Sequence, residues 1–196
     1  MRTVIVTGGI GSGKSALCAY LASKGYPVYD SDARTKQLYA LRPQILDTLS
    51  SLWGESLWKA EGEPDFPRIA SRVFGHPERL RQLEDLVYPA VLEDFRRWKS
   101  EVPPQTPFVV LESAVILSKP AFDGIGDRII LVVAPEALRL QRVLLRDAST
   151  PEAVRRRMRA QVPVAPSRAD VILLNDGSLE EFFRKADEVI AHLFDE

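Results

Sequence analysis

The feature that most constrains the fold of this chain is a glycine-rich run close to its start. Residues 8–15 read Gly-Gly-Ile-Gly-Ser-Gly-Lys-Ser, which fits the pattern G-x-x-x-x-G-K-[ST]. A β-branched apolar run at residues 3–7 precedes it, and residues 16–22 follow with apolar residues at helical spacing. In this order, backbone N–H groups and the positive end of a helix point at phosphate oxygens. The sequence therefore predicts a site for a nucleoside triphosphate.

Residue types within this phosphate-binding loop predict how the triphosphate is held. The backbone from Gly11 through Ser12 and Gly13 would wrap the phosphates, because glycine accepts the backbone angles that such a wrap requires. Lys14 would reach the β- and γ-phosphates, and the Ser15 hydroxyl would be a ligand for Mg²⁺. A glycine turn that bound no phosphate would have no use for the Lys-Ser pair.

Composition bounds the remaining possibilities. A chain of 196 residues can bury one good core but is short for two full domains. Its 26 basic and 27 acidic residues give a net charge of −1, which predicts no nucleic-acid partner. The apolar stretches are strand-sized and the N-terminus leads directly into a strand, so we expect neither a membrane span nor a signal peptide. The single cysteine, Cys18, excludes an internal disulfide, fits a cytoplasmic protein and is expected to be a small core residue. The 2 histidines argue against histidine-based zinc or triad chemistry.

Five short apolar runs predict the strands of a parallel sheet. Their hydrophobicity is continuous rather than alternating, as a sheet covered on both faces requires. They lie at residues 3–7, 27–29, 107–111, 128–133 and 171–174. Because helical patterns separate them, the fold class is α/β, with a parallel five-stranded sheet flanked by helices.

Two stretches interrupt this rhythm and predict the domain organisation. Residues 30–102 contain charged helical patterns and no convincing buried strand, which indicates a helical insertion that binds the acceptor substrate. Residues 146–167 carry Arg155, Arg156, Arg157 and Arg159, which is typical either of a solvated helix face or of a short lid over phosphates. The core domain then consists of residues 1–29, 103–145 and 168–196.

Two acidic positions at predicted strand ends each allow two interpretations. Glu112 follows the strand at 107–111, where an acid would hold Mg²⁺ through water, but with Ser113 it would equally well cap a helix. Asp30 and Asp32 follow the second strand, at the edge where open α/β sheets gather ligands. In an extended stretch they would point to the same side, where a carboxylate could accept a hydroxyl proton. The alternative is an N-cap pair that opens a helix over residues 33–39.

A phosphate-binding loop alone does not separate kinases from other nucleotide-binding proteins, but the chain as a whole resembles the dephospho-coenzyme A kinase family. The loop reads T-G-G-I-G-S-G-K-S as in that family, and Asp30-Ser31-Asp32 resembles its D-A-D motif. Pro135-Glu136, Arg142 and Arg146-Asp147 resemble its fourth strand and the start of its lid; Arg157, Gln161 and Pro163 resemble its R-x-x-x-Q-x-P lid end; and residues 169–178 resemble its A-D-x-V-I-x-N-x-G stretch. The resemblance covers nearly the whole chain and is weakest in the helical middle.

Three positions depart from the family pattern. Ala16 stands where the family usually has Thr, so only a backbone contact with ATP carries over to it. Tyr88-Pro89 stands in place of the usual His-Pro. Residues 113–118 stand in place of P-L-L-F-E and lack its Glu.

The resemblance implies a P-loop NTPase fold of the nucleotide-kinase type and ATP-dependent phosphorylation of the ribose 3′-hydroxyl of dephospho-coenzyme A. It implies Asp32 as general base with Asp30 as its neighbour. It also implies that Arg146, Arg142 and Arg157 neutralise charge on the transferred group, and that Asn175 contacts ATP near the adenine. The partners would be ATP, Mg²⁺ and the acceptor, on a monomer or small homo-oligomer. A kinase for another small hydroxyl or nucleotide acceptor, and a nucleotide-binding regulator that transfers nothing, remain the alternatives.

Overall fold

The computed structural model describes residues 1–162 and 164–195. The chain divides into two compact units, one made of Met1–Asp30 together with the chain from Val102 onward, the other of Ser31–Glu101. Pro163, which the sequence assigns to the end of the lid, lies outside the described residues.

In the described part of the chain, helices and strands alternate in the first unit, and helices alone build the second. The strands are β1 (Arg2–Gly8), β2 (Val28–Asp30), β3 (Phe108–Glu112), β4 (Arg128–Val133) and β5 (Val171–Leu174). The helices are α1 (Lys14–Ser23), α2 (Ser31–Leu41), α3 (Gln44–Trp53), α4 (Phe66–Val73), α5 (Pro77–Glu101), α6 (Glu136–Arg146), α7 (Pro151–Ala160) and α8 (Leu179–His192). Short 3₁₀ helices lie at Ile116–Ser118, Pro120–Phe122 and Pro166–Arg168.

The first unit is built on one parallel sheet with the strand order β2-β3-β1-β4-β5. The α/β fold class with five parallel strands is therefore confirmed, and each strand overlaps the run that predicted it. The register pairs Asp30 with Glu112 and Glu112 with Val6, so the carboxyl ends of β2, β3 and β1 meet at one edge. The phosphate-binding loop leaves β1 at this edge.

One face of the sheet carries a large apolar core. Its strands contribute apolar side chains that pack against α1 and α8. The members are Val4, Val6, Phe108, Val110, Ile130, Val132 and Leu173 from the strands, Leu17, Cys18 and Leu21 from α1, and Phe182 and Ala186 from α8, together with Leu193. This packing holds the first turn of α1, and with it the end of the phosphate-binding loop, against the sheet.

The second unit has its own apolar core and a buried charge. Asp94 on α5 has no exposed surface and accepts hydrogen bonds from the guanidinium groups of Arg34 (3.0 and 2.9 Å) and Arg97 (2.6 Å). A buried carboxylate is costly unless it is paired in this way, so these contacts fix α2 against α5.

One local interpretation was wrong. Residues 30–32 are not an extended stretch, because β2 ends at Asp30 and α2 begins at Ser31. The charged helical pattern expected within residues 30–102 includes one long helix, α5, which continues through Pro89. α5 is charged along its length, and none of the described helices is long and apolar enough to cross a membrane.

Candidate active site

The phosphate-binding loop is a tight turn that only glycine could form at its narrowest points. Gly11 has φ +77°, and a Cβ added there would lie 2.6 Å from the carbonyl oxygen of Arg139. Gly13 has φ +108° and precedes the first residue of α1. The Ser12 N–H donates to the Gly9 carbonyl oxygen at 3.0 Å, which closes the turn. The first turn of α1 has no acidic residue, so the positive end of the helix dipole is left for an anion.

Lys14 and Ser15 are the first two residues of α1, which begins two residues before the helical pattern at 16–22. The Ser15 hydroxyl donates to Glu112 Oε1 at 2.7 Å, which joins the loop to the end of β3. Glu112 does not share a cap with Ser113, because it is the Ser113 hydroxyl that accepts the N–H of Ile116 (3.2 Å). The contact between Ser15 and Glu112 therefore favours the first of the two interpretations of Glu112.

The Ser15 and Glu112 oxygens fit the ligand preference of Mg²⁺. This ion takes hard oxygen ligands and is usually held by one or two protein groups together with waters and substrate phosphates. Among the described residues there is no group of three or more His, Cys, Asp or Glu side chains that could hold a metal by themselves. The hydroxyl and carboxylate joined at 2.7 Å could therefore hold this ion only together with further ligands, such as the phosphates of a nucleotide.

Cys18 lies one turn further along α1 and is only 3% exposed. Burial, with the nearby Glu112 carboxylate as a second cause, raises the pKa of the Cys18 thiol well above its usual value. The thiol therefore stays protonated and packs in the core, as the sequence predicts for it.

Asn175 and Arg142 contact each other next to the phosphate-binding loop. Asn175 follows β5, is 2% exposed, and donates from Nδ2 to the Ser12 carbonyl oxygen at 2.8 Å. Arg142 on α6 donates to both oxygens of Asn175, at 3.2 Å to the backbone carbonyl and 3.1 Å to Oδ1. Two residues that the resemblance assigns to ligands are thus hydrogen-bonded to each other.

The predicted lid residues 146–167 contain the last residue of α6, the whole of α7 and the start of the 3₁₀ helix Pro166–Arg168. Arg146 and Arg157 both contact Asp147, with closest distances of 2.8 and 3.1 Å. Arg146 first, and Arg157 second, lower the pKa of the Asp147 carboxyl below its usual value. Both guanidinium groups are well exposed, so they are held by a surface carboxylate and not by a core.

Two residues for which the sequence predicts no role in the site also lie against the phosphate-binding loop. Gln161 accepts the N–H of Ile10 through Oε1 at 2.8 Å. Arg139 lies over Gly9, where an added Cβ would be 2.1 Å from its Nη1 atom. Both line a cleft of about 230 Å³ beside Gly8, Gly9 and the end of β4. A signal was present in the sequence, because Arg139 precedes Arg142 and Arg146 at helical spacing on one face of α6.

The two predicted aspartates lie on either side of the boundary between the units. Asp30 is the exposed last residue of β2, opposite Glu112 in the register. Asp32 is exposed in the first turn of α2, where its carboxylate also stabilises the helix by interacting with the positive end of the helix dipole.

Tyr88, which replaces the histidine usual in the family, lies half-buried on α5. Burial and a hydrogen bond to Glu84 raise the pKa of its phenol above the usual value. This side chain therefore remains a neutral donor where a histidine could carry charge.

A parallel sheet with a phosphate-binding loop between β1 and α1, and with an acid at the end of β3 bonded to the loop serine, defines a nucleotide-binding protein of the P-loop kinase class. Solved structures agree. The chain aligns with protein TT1252 of Thermus thermophilus with a TM-score of 0.83 and 35% identity, over 98% of this chain and 97% of the other. It shares the fold of a dephospho-CoA kinase from Campylobacter jejuni, with a TM-score of 0.68, 23% identity and 98% coverage of both chains.

Sequence comparisons narrow the class further. The family model for dephospho-CoA kinase matches residues 2–181. A dephospho-CoA kinase of Porphyromonas gingivalis is 37% identical over 178 residues, which is 89% of this chain and 86% of the relative. The chain belongs to the dephospho-CoA kinase family, and the resemblance drawn from its motifs is confirmed.

Proposed function

We propose that this protein transfers the γ-phosphoryl group of ATP to the ribose 3′-hydroxyl of dephospho-coenzyme A, giving coenzyme A and ADP. The observation that carries the proposal is the shared sheet edge at which the phosphate-binding loop, Glu112 and Asp30 meet, in a chain that belongs to this kinase family. Open parallel sheets bind their ligands at this edge.

ATP is held by the backbone of Gly11 to Ala16 and by Lys14, whose ammonium group offsets charge on the β- and γ-phosphates. Ser15 and Glu112 would hold Mg²⁺, which when bound would neutralise phosphate charge in the complex. The hydrogen bond between the two side chains (2.7 Å) supports this assignment, because it brings a hydroxyl and a carboxylate together before any ligand arrives.

In the transfer step the acceptor 3′-oxygen forms a bond to the γ-phosphorus while the bond from that phosphorus to the β,γ-bridging oxygen breaks, and ADP leaves. Asp32 accepts the proton of the acceptor hydroxyl, with Asp30 as its neighbour. Both carboxylates are exposed, and Asp32 belongs to a formed helix turn that holds its backbone in place.

Arginines neutralise the charge that the transferred group presents. Arg146 and Arg157 of the 146–167 segment and Arg142 of α6 have this role. Residues 146–167 then act as a lid that brings the first two over the phosphates. The exposure of the pair on Asp147 supports this role, because exposed guanidinium groups can exchange a carboxylate for a phosphate.

The helical residues 30–102 bind the coenzyme, while residues 1–29, 103–145 and 168–196 form the catalytic core. The substrates are small molecules, and we propose a monomer or small homo-oligomer without a nucleic-acid partner. The net charge of −1 supports the last point.

The test is an acceptor panel with MgATP in excess, following ADP release and the mass of the product. The acceptors are dephospho-coenzyme A, its 2′-deoxy and 3′-deoxy analogues, adenosine and shikimate. We expect turnover with dephospho-coenzyme A and its 2′-deoxy analogue, and none with the 3′-deoxy analogue, which lacks the attacking oxygen.

Other outcomes separate the alternatives. ADP release with adenosine or shikimate, but not with dephospho-coenzyme A, would indicate a kinase for another acceptor. Tight ATP binding without turnover on any acceptor would indicate a nucleotide-binding regulator. Turnover with the 3′-deoxy analogue would move the reaction to another hydroxyl.

A further inference from the structure

Both polar atoms of the Asn175 side chain form hydrogen bonds with other residues of the described chain. It is 2% exposed, its Nδ2 donates to the Ser12 carbonyl oxygen (2.8 Å), and its Oδ1 accepts from Arg142 Nη2 (3.1 Å). Its backbone is equally occupied, since the N–H donates to Val133 O (2.8 Å) and the carbonyl accepts from Arg142 Nη1 (3.2 Å). A primary amide with these partners has little surface left for the edge of a purine.

The bond to Ser12 sets the direction of a peptide group in the phosphate-binding loop. The Ser12–Gly13 peptide is trans, so its carbonyl and its N–H point in opposite directions. Because the carbonyl is directed at Asn175, the Gly13 N–H is directed away from it. Gly13 also makes room for the amide, as a Cβ at this position would lie 2.1 Å from Asn175 Nδ2.

The same amide orients an arginine. Arg142 gives two donors to Asn175 and keeps the rest of its guanidinium for other acceptors. A guanidinium that is held by two hydrogen bonds loses less rotational freedom when it meets a phosphate, so its binding is stronger than that of a freely rotating side chain.

We propose that Asn175 is a positioning residue for the triphosphate, which turns the Gly13 N–H toward phosphate and holds Arg142, and that it does not read the adenine base. The proposal rests on the proposed function only in that a nucleoside triphosphate is the ligand. It replaces the expectation of an adenine contact by a role that is independent of the base.

The test uses Asn175→Asp and three ligands: ATP, GTP and inorganic tripolyphosphate, measured by calorimetry without any acceptor. Aspartate keeps an oxygen for Arg142 but places a second oxygen against the Ser12 carbonyl where a donor stood. We expect all three ligands to bind more weakly by the same factor, about 10- to 100-fold, as for a buried polar group left without its partner. The ratio of ATP to GTP affinity should not change.

A matched control addresses loss of stability. Asp170→Ala removes another side chain to backbone bond between β4 and β5, from Ile129 N to Asp170 Oδ2 (2.7 Å), at the opposite end of the strands. We expect it to lower the melting temperature without changing the affinity for tripolyphosphate.

The opposite pattern overturns the proposal. If Asn175→Asp lowers the preference for ATP over GTP and leaves tripolyphosphate binding unchanged, Asn175 reads the base. Should that variant not fold, NMR of the wild type decides. Tripolyphosphate must shift the Gly13 amide signal, while the Asn175 side-chain NH₂ stays protected and gives the same shift with ATP and GTP. A different Asn175 shift with each base contradicts a positioning role. Because no acceptor is present, these outcomes hold whether or not dephospho-coenzyme A is the substrate.

Discussion

The phosphate-binding loop and the 146–167 segment both carry groups that we propose bind phosphate, but the two regions are held by different forces. The loop is fixed by glycine backbone angles and by the buried hydrogen bond from Asn175 to Ser12. In the segment, Arg146 and Arg157 share the carboxylate of Asp147 at the surface. Surface ion pairs are worth about 0–1 kcal/mol each, so the arginines can leave Asp147 at small cost. The loop is therefore arranged without a nucleotide, whereas we expect the arrangement of the segment to depend on the ligand.

A hydrogen bond joins the two regions, from the Ile10 N–H to Gln161 Oε1 at 2.8 Å. Gln161 lies toward the end of the segment away from Arg146, so the bond holds that part of the segment near the loop. If this contrast is correct, changes to the preset groups should have the largest effects on activity.

The largest effect should come from Lys14→Ala. We expect turnover to fall to background with the melting temperature little changed, because the variant lacks the ammonium group that offsets charge on the β- and γ-phosphates. Lys24→Ala is the control, since this exposed lysine directly follows α1 and pairs with the surface residue Asp187. Its turnover should stay near that of the wild type, as measured by ADP release. Wild-type activity in Lys14→Ala would contradict the proposal that this loop holds the triphosphate.

The second largest effect on turnover should come from Asp32, whose backbone is held within α2. Asp32→Asn keeps the shape and an oxygen that could cap the helix but removes the basic charge, so it separates a base from a cap. We expect kcat to fall about 10²- to 10⁴-fold, the usual contribution of a general base, with ATP affinity nearly unchanged. Asp85→Asn, on the exposed side of α5, is the control in the same unit.

Asp30→Asn completes this test and should lower kcat less than Asp32→Asn. If Asp32→Asn turns over normally while Asp30→Asn is inactive, the base is Asp30. Normal turnover in both would identify the pair as a helix cap.

The sequence predicts the strands and the loop better than the boundaries of the helices. The strands and the loop were predictable because each rests on local signals, continuous apolar runs and a motif of eight residues. The start of α2 was misplaced because Asp30-Ser31-Asp32 fits both a strand end and a helix start, and the local sequence does not decide between them. α5 continues through Pro89, a residue that normally ends a helix, because Val87, Ala90 and Val91 on both sides of it are buried.

The contacts that arrange the site could not be predicted from local pattern. Asn175 and Ser12 are 163 residues apart, and Ser15 and Glu112 are 97 apart. No periodicity links such pairs, because they meet only through the order of the strands. The motif predicts that Asn175 matters, but only the fold shows that its amide faces the loop.

The 146–167 segment should respond to ligands where the loop does not. We expect amide hydrogen exchange in residues 146–161 to slow about tenfold or more when ATP and acceptor are both bound, the equivalent of one charge-assisted hydrogen bond to phosphate. Residues 3–7 of β1 are the internal control, because they are buried and should exchange slowly in every state. Equal protection of residues 146–161 with and without ligands would contradict a lid.

The smallest effect should come from Asp147→Asn, which removes the carboxylate that competes with phosphate for Arg146 and Arg157. Because those arginines lower the pKa of Asp147, the ion pairs persist through neutral pH and are lost only as the pH falls through that depressed value. At neutral pH the variant should bind ATP more tightly by about fivefold or less, the size of a surface ion pair, and should show faster exchange in residues 146–161 without ligand. Glu152→Gln removes the same charge from the first turn of α7 without touching the arginines, so its ATP affinity should match the wild type. If Asp147→Asn instead weakens ATP binding, Asp147 orients the arginines for phosphate, and the segment is preset like the loop.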